Sequence, residues 1–433
     1  MSKMDKSLRN SFTWVLAGNA VYSACQWGII PLIAKLGSPA KVGEYALGIA
    51  VSAPILVFAN LQLRALVASD VKGKYSFGQY LRFRALTLGA ALFVLLGIST
   101  SLQSSWYGRS IVLLLGLTQA FEWTSDTYYG RMQKFDRMDL ISKSLMIKGP
   151  LSLLLLFLVM YGTGNLVHAV AGLTLGRLLV LVLYDSRRGF AESPKSERAA
   201  ARPAREYAAM LRLLRSAVPL GLITSIAALT ANIPRYFIEA HAGTRDLGIY
   251  SALASLISAG TLVISAFAQA AFTPVARACA QNNREQYRRL ALHLACLGAL
   301  LGCAGICAAA AMGGWILRVL FRPEYAEHAG LLVRLMMLGL ASYVSVGEGY
   351  VLTAAGELNS QVFLQILSGL VTLTACAFLV PQYGIYGAAD SAIAGAVVLA
   401  AGSAGYLVKL DRKLRTNRAR ASGGECRLAA AVD

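Results

Sequence analysis

Runs of apolar residues about 20 long recur from end to end of the chain, separated by short polar stretches. A helix needs about 20 residues to cross a bilayer, so the pattern predicts twelve spans: 12–34, 44–67, 83–103, 110–129, 142–161, 165–184, 216–238, 247–275, 290–311, 329–353, 359–380 and 384–408. The chain reads as an all-α polytopic membrane protein. Its polar punctuation is uneven. The longest interruption, 185–215, is basic and contains proline, and reads as a cytoplasmic linker; an amphipathic surface helix over 204–215 is the alternative. Residues 411–433 read as a basic cytoplasmic tail.

Segments of the two halves resemble each other. "VGEYALGIAVS" from Val42 matches "LGIYSALASLIS" from Leu247. "QYLRFRAL" from Gln79 matches "QYRRLALHL" from Gln286. "YGTGNLVHAVAG" from Tyr161 matches "YGIYGAADSAIAG" from Tyr383. Six spans return a chain to its starting side. The order of matches therefore predicts two six-helix lobes, 1–184 and 216–410, related by a parallel repeat, as in one transporter plan.

Composition agrees. The 433 residues are 56% hydrophobic and 15% charged, against about 25% charged in soluble domains. The net charge of +19 does not require nucleic acid. Lys and Arg crowd the N-terminus, 68–84, 130–143, 185–215, 276–289 and the C-terminal tail. The opposite loops hold only Lys35, Lys41, Arg109, Arg245, Arg318 and Arg322. Cytoplasmic loops attract such cations, which predicts both termini inside. The basic start runs directly into a long apolar segment without a cleavage site, so no secretory signal peptide is expected. The seven cysteines and four histidines show no metal-ligand spacing, and no nucleotide-binding loop or cofactor motif is present.

Charged residues inside the spans are the informative ones, because lipid disfavours them and they mark pathways or partners. The cations are Arg64, Lys148, Arg177, Arg235 and Arg334. The acids are Glu122, Asp126, Glu348 and Asp390. Asn60 and Arg64 share a face of the second span, with Gln62 between them. Gln119, Glu122 and Asp126 share a face of the fourth, Asn232 and Arg235 one of the seventh, and Gln361 and Gln365 one of the eleventh. Such faces line a wet cavity or join helices by hydrogen bonds. Arg64 and Arg334 lie near span ends and have snorkelling to headgroups as their alternative. Arg235 has an i,i+4 pair with Glu239 as its alternative. Glu122 and Glu348 occupy matched repeat positions and read either as proton- or sodium-coupling carboxylates or as structural counter-ions; Asp126 joins them as a coupling candidate.

The stretch "LAGNAVYSACQWGIIPLIAKLGSPAKVGEYALGIAVSAPILVFANLQLR" resembles the opening helices of Wzx-type flippases, and "NIPRYFIEAHAGTRDLGIYSAL" resembles the entry to their second lobe. These proteins form the polysaccharide exporter branch of the multidrug/oligosaccharidyl-lipid/polysaccharide superfamily. The resemblance implies two lobes around a central cavity in the bacterial inner membrane. It implies a cargo of undecaprenyl-pyrophosphate-linked oligosaccharide, moved from the cytoplasmic to the periplasmic leaflet by alternating access. The partners implied are the lipid-linked glycan, membrane lipid and proteins of polysaccharide assembly, around a working monomer. A diphosphate needs cations at depth, and arginine's fork suits phosphate oxygens. Arg177, Arg235, Arg64 and Lys148, with Asn60, Gln62 and Asn232, are therefore the expected cargo-binding set. Coupling to protons, sodium or membrane potential is expected in place of a cofactor. The rivals are a cation-coupled multidrug exporter of the same superfamily and a membrane polysaccharide polymerase or ligase. The latter is disfavoured because the longest external loop, 312–328, holds few convergent groups.

Overall fold

A computed structural model describes residues 3–70, 75–102, 105–191 and 206–429. Every long element in it is helical. In chain order these are α1 (Lys3–Leu36), α2 (Pro39–Asn60), α3 (Leu63–Ser69), α4 (Phe77–Leu102), α5 (Trp106–Lys134), α6 (Met138–Thr163), α7 (Leu166–Val180), α8 (Ser186–Ala191), α9 (Glu206–His241), α10 (Gly243–Ala280), α11 (Arg284–Leu320), α12 (Ala329–Ala354) and α13 (Leu358–Ala429). A π turn, Leu181–Asp185, joins α7 to α8, and a 3-10 turn, Pro323–His328, precedes α12. Among the described residues, eight segments are long and apolar enough to cross a membrane. The chain is a multi-pass membrane protein.

Three differences from the sequence expectation have local causes. The spans expected at 359–380 and 384–408 form one element, α13, broken at Gly384 with φ 54° and ψ −131°. The described residues thus hold eleven long helical segments, with α2–α3 and α7–α8 each counted as one. The external loop expected over 312–328 is mostly helical, because α11 continues to Leu320 and the 3-10 turn takes up the rest. Of the expected linker, 192–205 lies outside the described residues, while its flanks are α8 and the first turns of α9. The tail is helical as far as Ala429, and 430–433 lies outside the described residues.

The chain forms two compact units. One comprises Met1–Glu239 with Gly243–Ala252, the other Ala240–Ala242 with Leu253–Asp433. In packing, α9 as far as Glu239 falls in the first unit. Ser225 on α9 donates to Pro54 O on α2 at 2.9 Å, and the Tyr236 hydroxyl donates to Ala50 O. In this same unit the starts of α2 and α10 cross at the repeat-matched glycines Gly43 and Gly248. A Cβ on Gly43 would overlap the Thr244 carbonyl, and one on Gly248 the Pro39 carbonyl. In the second unit, Arg284 at the start of α11 grips Asp411 on α13 through two bonds of 2.8 and 2.7 Å. Below it lie Tyr287, Leu294, Val351 and Leu410, all buried.

The crossing of α2 and α10 is closed by backbone, which cannot rotate away as a side chain can. Gly248→Ala is expected to destabilise the protein by about 1–3 kcal/mol, the usual range for overpacking. Thermal unfolding of the purified protein in detergent measures this. A melting temperature equal to wild type would show that the crossing is looser than described.

Candidate functional site

The polar residues of the first unit gather around α5, beginning where α2 breaks. Leu61 and Gln62 both have φ 50°, a left-handed conformation that non-glycine residues adopt at a cost of order 1–3 kcal/mol. Two such residues end the helix and free its last carbonyls inside the protein. Arg84 on α4 satisfies them. Its Nη1 donates to Ala59 O at 3.3 Å and Asn60 O at 3.0 Å, its Nη2 to Asn60 Oδ1 at 3.0 Å, and its Nε to Thr127 Oγ1 at 2.9 Å. Arg84 is 1% exposed. By sequence it falls among the cytoplasmic loop cations of 68–84. The signal was present in the spacing: Tyr80, Arg84 and Leu88 share one helical face, and all three are buried. Asn60 is thus held by Arg84, and Gln62, half-buried, sits at the break itself.

Arg64 follows on α3. Its Nη1 lies 3.2 Å from Asp126 Oδ1, its Nε donates to Gln133 Oε1 at 3.2 Å, and its guanidinium stands 5.7 Å from the Tyr129 ring centroid. Its side chain remains 37% exposed. Gln119, one turn before Glu122, donates to Ser52 Oγ at 2.7 Å.

Lys148 on α6 is wholly buried. Its Nζ donates to Tyr129 OH at 2.7 Å and stands 3.4 Å from Asp185 Oδ2 and 3.7 Å from Glu122 Oε2. Tyr129 OH and Ser144 Oγ share a hydrogen bond of 2.7 Å, and Ser144 donates to Asp185 Oδ1 at 2.5 Å. The donors run in one direction: lysine to tyrosine to serine to aspartate. Arg177 on α7 joins the same group. Its Nη1 lies 3.7 Å from Glu122 Oε2, and its Nη2 donates to Gln26 Oε1 at 2.8 Å. Asp185 was assigned to the linker by sequence. It ends the π turn and is 0% exposed. Its i−8 and i−4 neighbours Arg177 and Leu181 are buried too, the spacing that could have revealed it. Widened π turns occur often at functional positions.

The charges in this network are largely settled internally. Glu122 and Asp185 balance Lys148 and Arg177. Asp126 balances Arg64. Arg84 is met by oxygens of neutral groups. Arg235 on α9 likewise meets a neutral oxygen, but through a single bond. Its Nη1 donates to Asn232 Oδ1 at 2.5 Å, and Asn232 in turn donates to Ala228 O at 2.7 Å. The alternative pair with Glu239 is not made: Glu239 Oε1 accepts from Thr244 Oγ1 at 2.8 Å and its Oε2 has no hydrogen bond. Among the described residues no carboxylate pairs with Arg235, and its Nε is buried without a hydrogen bond.

The second unit holds fewer such groups. Arg334 Nη1 lies 2.5 Å from Asp390 Oδ2 with its guanidinium 5.0 Å from the Tyr386 ring centroid. Gln361 donates to Gly349 O and Thr353 Oγ1 at 3.2 and 2.9 Å. Glu348 is 6% exposed, and its Oε2 is buried without a hydrogen bond. The repeat-matched glutamates therefore differ in their surroundings: Glu122 touches two cations, and Glu348 touches none among the described residues. Among these residues no cluster of His, Cys, Asp or Glu is suited to a metal, and the described cysteines are all free.

Breaking a buried ion pair from one side costs roughly 3–5 kcal/mol, because the other charge is left stranded. Lys148→Met is expected to destabilise on that scale. Lys148→Met with Asp185→Asn should recover part of the loss. A double-mutant cycle on thermal unfolding checks this, and purely additive losses would argue against coupling between the two groups.

Residues 7–279 match the family model described as "Polysaccharide biosynthesis protein". The chain is 23% identical over 380 residues to the capsular polysaccharide biosynthesis protein CapF of Staphylococcus aureus, covering 88% of this chain and 94% of that one. Among solved structures, an inward-facing multidrug resistance MATE family transporter of the MOP superfamily superposes with a TM-score of 0.74 at 13% identity, covering 93% of this chain and 99% of the other. The lipid II flippase MurJ in an inward closed conformation superposes with a TM-score of 0.69 at 10% identity, covering 94% and 90%. At these identities the structural likenesses establish the fold.

Proposed function

The chain belongs to the polysaccharide biosynthesis protein family, and on that premise we propose that it is a flippase for an undecaprenyl-pyrophosphate-linked oligosaccharide. The cargo moves from the cytoplasmic to the periplasmic leaflet of a bacterial inner membrane. The observation that carries this reading is the cation left over at depth. Most buried charges of the first unit pair with one another; Arg84 and Arg235 have no carboxylate partner among the described residues, but Arg84 is held by four bonds to neutral oxygens, whereas Arg235 makes one, to Asn232. An ionised diphosphate cannot cross hydrocarbon unaccompanied, and a guanidinium supplies charge-assisted bonds to its oxygens. A carrier for cationic drugs would call for the opposite excess.

In this reading both termini are cytoplasmic and the chain crosses twelve times. The apolar stretch Asn359–Arg412, 54 residues long, is long enough for two crossings, with Gly384 near the turn. The abutting matched glycines Gly43 and Gly248 support two six-span halves related by a parallel repeat. The halves rock to open the cavity first to one side and then to the other. Arg235 and Asn232 hold the diphosphate. Arg177, Lys148, Arg64, Asn60 and Gln62 form the polar wall beside it, and their acids Glu122 and Asp126 keep that wall near neutral. Glu348, buried without a cation beside it, is the candidate for proton or sodium coupling. No bond of the cargo is made or broken, so the protein is a transporter and not an enzyme; it works as a monomer beside the polysaccharide-assembly proteins that make and consume its cargo.

Reconstitution into liposomes with a lipid-linked oligosaccharide tests the reading. A hydrogen bond to a charged group contributes about 1.5–3 kcal/mol. Arg235→Ala is therefore expected to slow translocation by about tenfold or more without changing the melting temperature, and Arg235→Lys should recover part of the rate. Arg177→Ala should lower both rate and stability, because it also loosens Glu122. Failure of the wild type to move any lipid-linked glycan, alongside export of cationic dyes, would replace the flippase with a drug exporter.

A further inference from the structure

The first unit carries an open groove of about 500 Å³ between α2, α4 and α9. Its sides are Phe58, Val94 and Leu214, which are 37%, 50% and 38% exposed. Three alanines, Ala59, Ala90 and Ala91, also line it. Its lining includes two hydroxyls, and both are already committed. Thr87 Oγ1 donates to Arg84 O at 3.1 Å, and Ser225 Oγ donates to Pro54 O at 2.9 Å. The groove thus offers an occupant no free hydroxyl donor and few polar atoms. Its volume is in the range of sites that enclose a whole ligand, about 300–1,000 Å³.

Leu61, at the broken end of α2, also lines the groove. Three residues further on in the chain stands Arg64, whose side chain is 37% exposed beside its contacts with Asp126, Gln133 and the Tyr129 ring. The groove is thus an apolar channel, and the chain carries a cation three residues past Leu61 in its lining. That is the complement of a long hydrocarbon chain that ends in a phosphate. Ala59, Ala90 and Ala91 carry only methyl side chains, so the lining leaves room for the branching methyls of an isoprenoid.

We propose that this groove seats the phosphate-proximal isoprenoid units of the lipid carrier, with Arg64 facing the first phosphate. The inference rests on the flippase reading and adds a tail site to it. The tail then does not trail freely in the bilayer. It is registered against α2 at the helix break, so that chain and diphosphate are held by one unit while the head enters the cavity.

The test uses the full chain in phosphatidylethanolamine and phosphatidylglycerol vesicles. p-Benzoylphenylalanine is placed at Val94 in one preparation and, as a control, at Phe93, which is 77% exposed on the same helix and does not line the groove. Tritiated undecaprenyl diphosphate is the probe. Labelling at 94 should exceed that at 93 several-fold. Ala90→Trp, which fills the groove, should remove the excess. Should Ala90→Trp lower the melting temperature, Thr87→Phe serves in its place. Equal labelling at the two positions would overturn the proposal. So would a tritiated phosphatidylglycerol that labels position 94 as strongly as the isoprenoid does, since the groove would then hold bulk lipid. Translocation measured on the same vesicles separates the two readings. Glycan movement by the wild type without selective labelling sinks the groove and leaves the flippase standing. Selective labelling without movement of any lipid-linked glycan keeps the groove and sinks the flippase.

Discussion

A lysine with no exposed surface, inside a helix within a membrane, sets the terms for half of this molecule. Lys148 is tolerable there only because Tyr129, Asp185 and Glu122 surround its ammonium. Desolvating an ion costs several kcal/mol even after relaxation, and the cost is offset only where geometry and further hydrogen bonds are good. Each partner then needs its own partner. Tyr129 finds Ser144, Asp185 accepts from Ser144, and Glu122 reaches Arg177, which reaches Gln26. The result ties α1, α5, α6, α7 and the π turn into one polar core. Neither of its two cations can be removed singly without stranding a carboxylate.

The same constraint governs the irregular backbone. Non-helical carbonyls at membrane depth are tolerated only where protein or a water-lined cavity meets them. The α2–α3 break meets it with Arg84, whose guanidinium covers the Ala59 and Asn60 carbonyls together. The π turn brings Asp185 inward to the lysine. Discontinuous helices in transporters commonly lie near the transported group. Here the break stands between the buried network on one side and the apolar groove on the other. On the proposed reading, the polar head and apolar tail of a lipid-linked cargo call for that juxtaposition, and Arg235, which no carboxylate pairs among the described residues, is the cation proposed for the diphosphate.

Much of this was legible from the chain. Helical class and membrane character followed from repeated apolar runs. Lys148, Arg177, Glu122 and Asp126 stood out because charge is rare in such runs. Arg84 and Asp185 were missed for one shared reason: both lie at the ends of apolar runs, where a charge ordinarily belongs to a loop. Helical spacing to buried neighbours, rather than distance from the run's centre, was the better guide. Pairing was not legible either. The Arg235–Glu239 pair had ideal spacing, yet Thr244 takes the glutamate. Nor could sequence foresee that the matched glutamates 122 and 348 would differ so much in company, because partner identity is decided by helices distant in the chain. Helix count was blurred at Gly384, where a single left-handed glycine interrupts one element without a polar loop to mark it.

The central claim is that charge left uncompensated at Arg235 recognises a diphosphate. Equilibrium binding of undecaprenyl diphosphate and of undecaprenol to the intact purified protein tests it most directly, because the two ligands share a tail and differ only in the anion. The account predicts much tighter binding of the diphosphate, with that advantage lost in Arg235→Ala while undecaprenol binding is unchanged. Equal affinity for the two ligands in the wild type, or an advantage that survives Arg235→Ala, would contradict it.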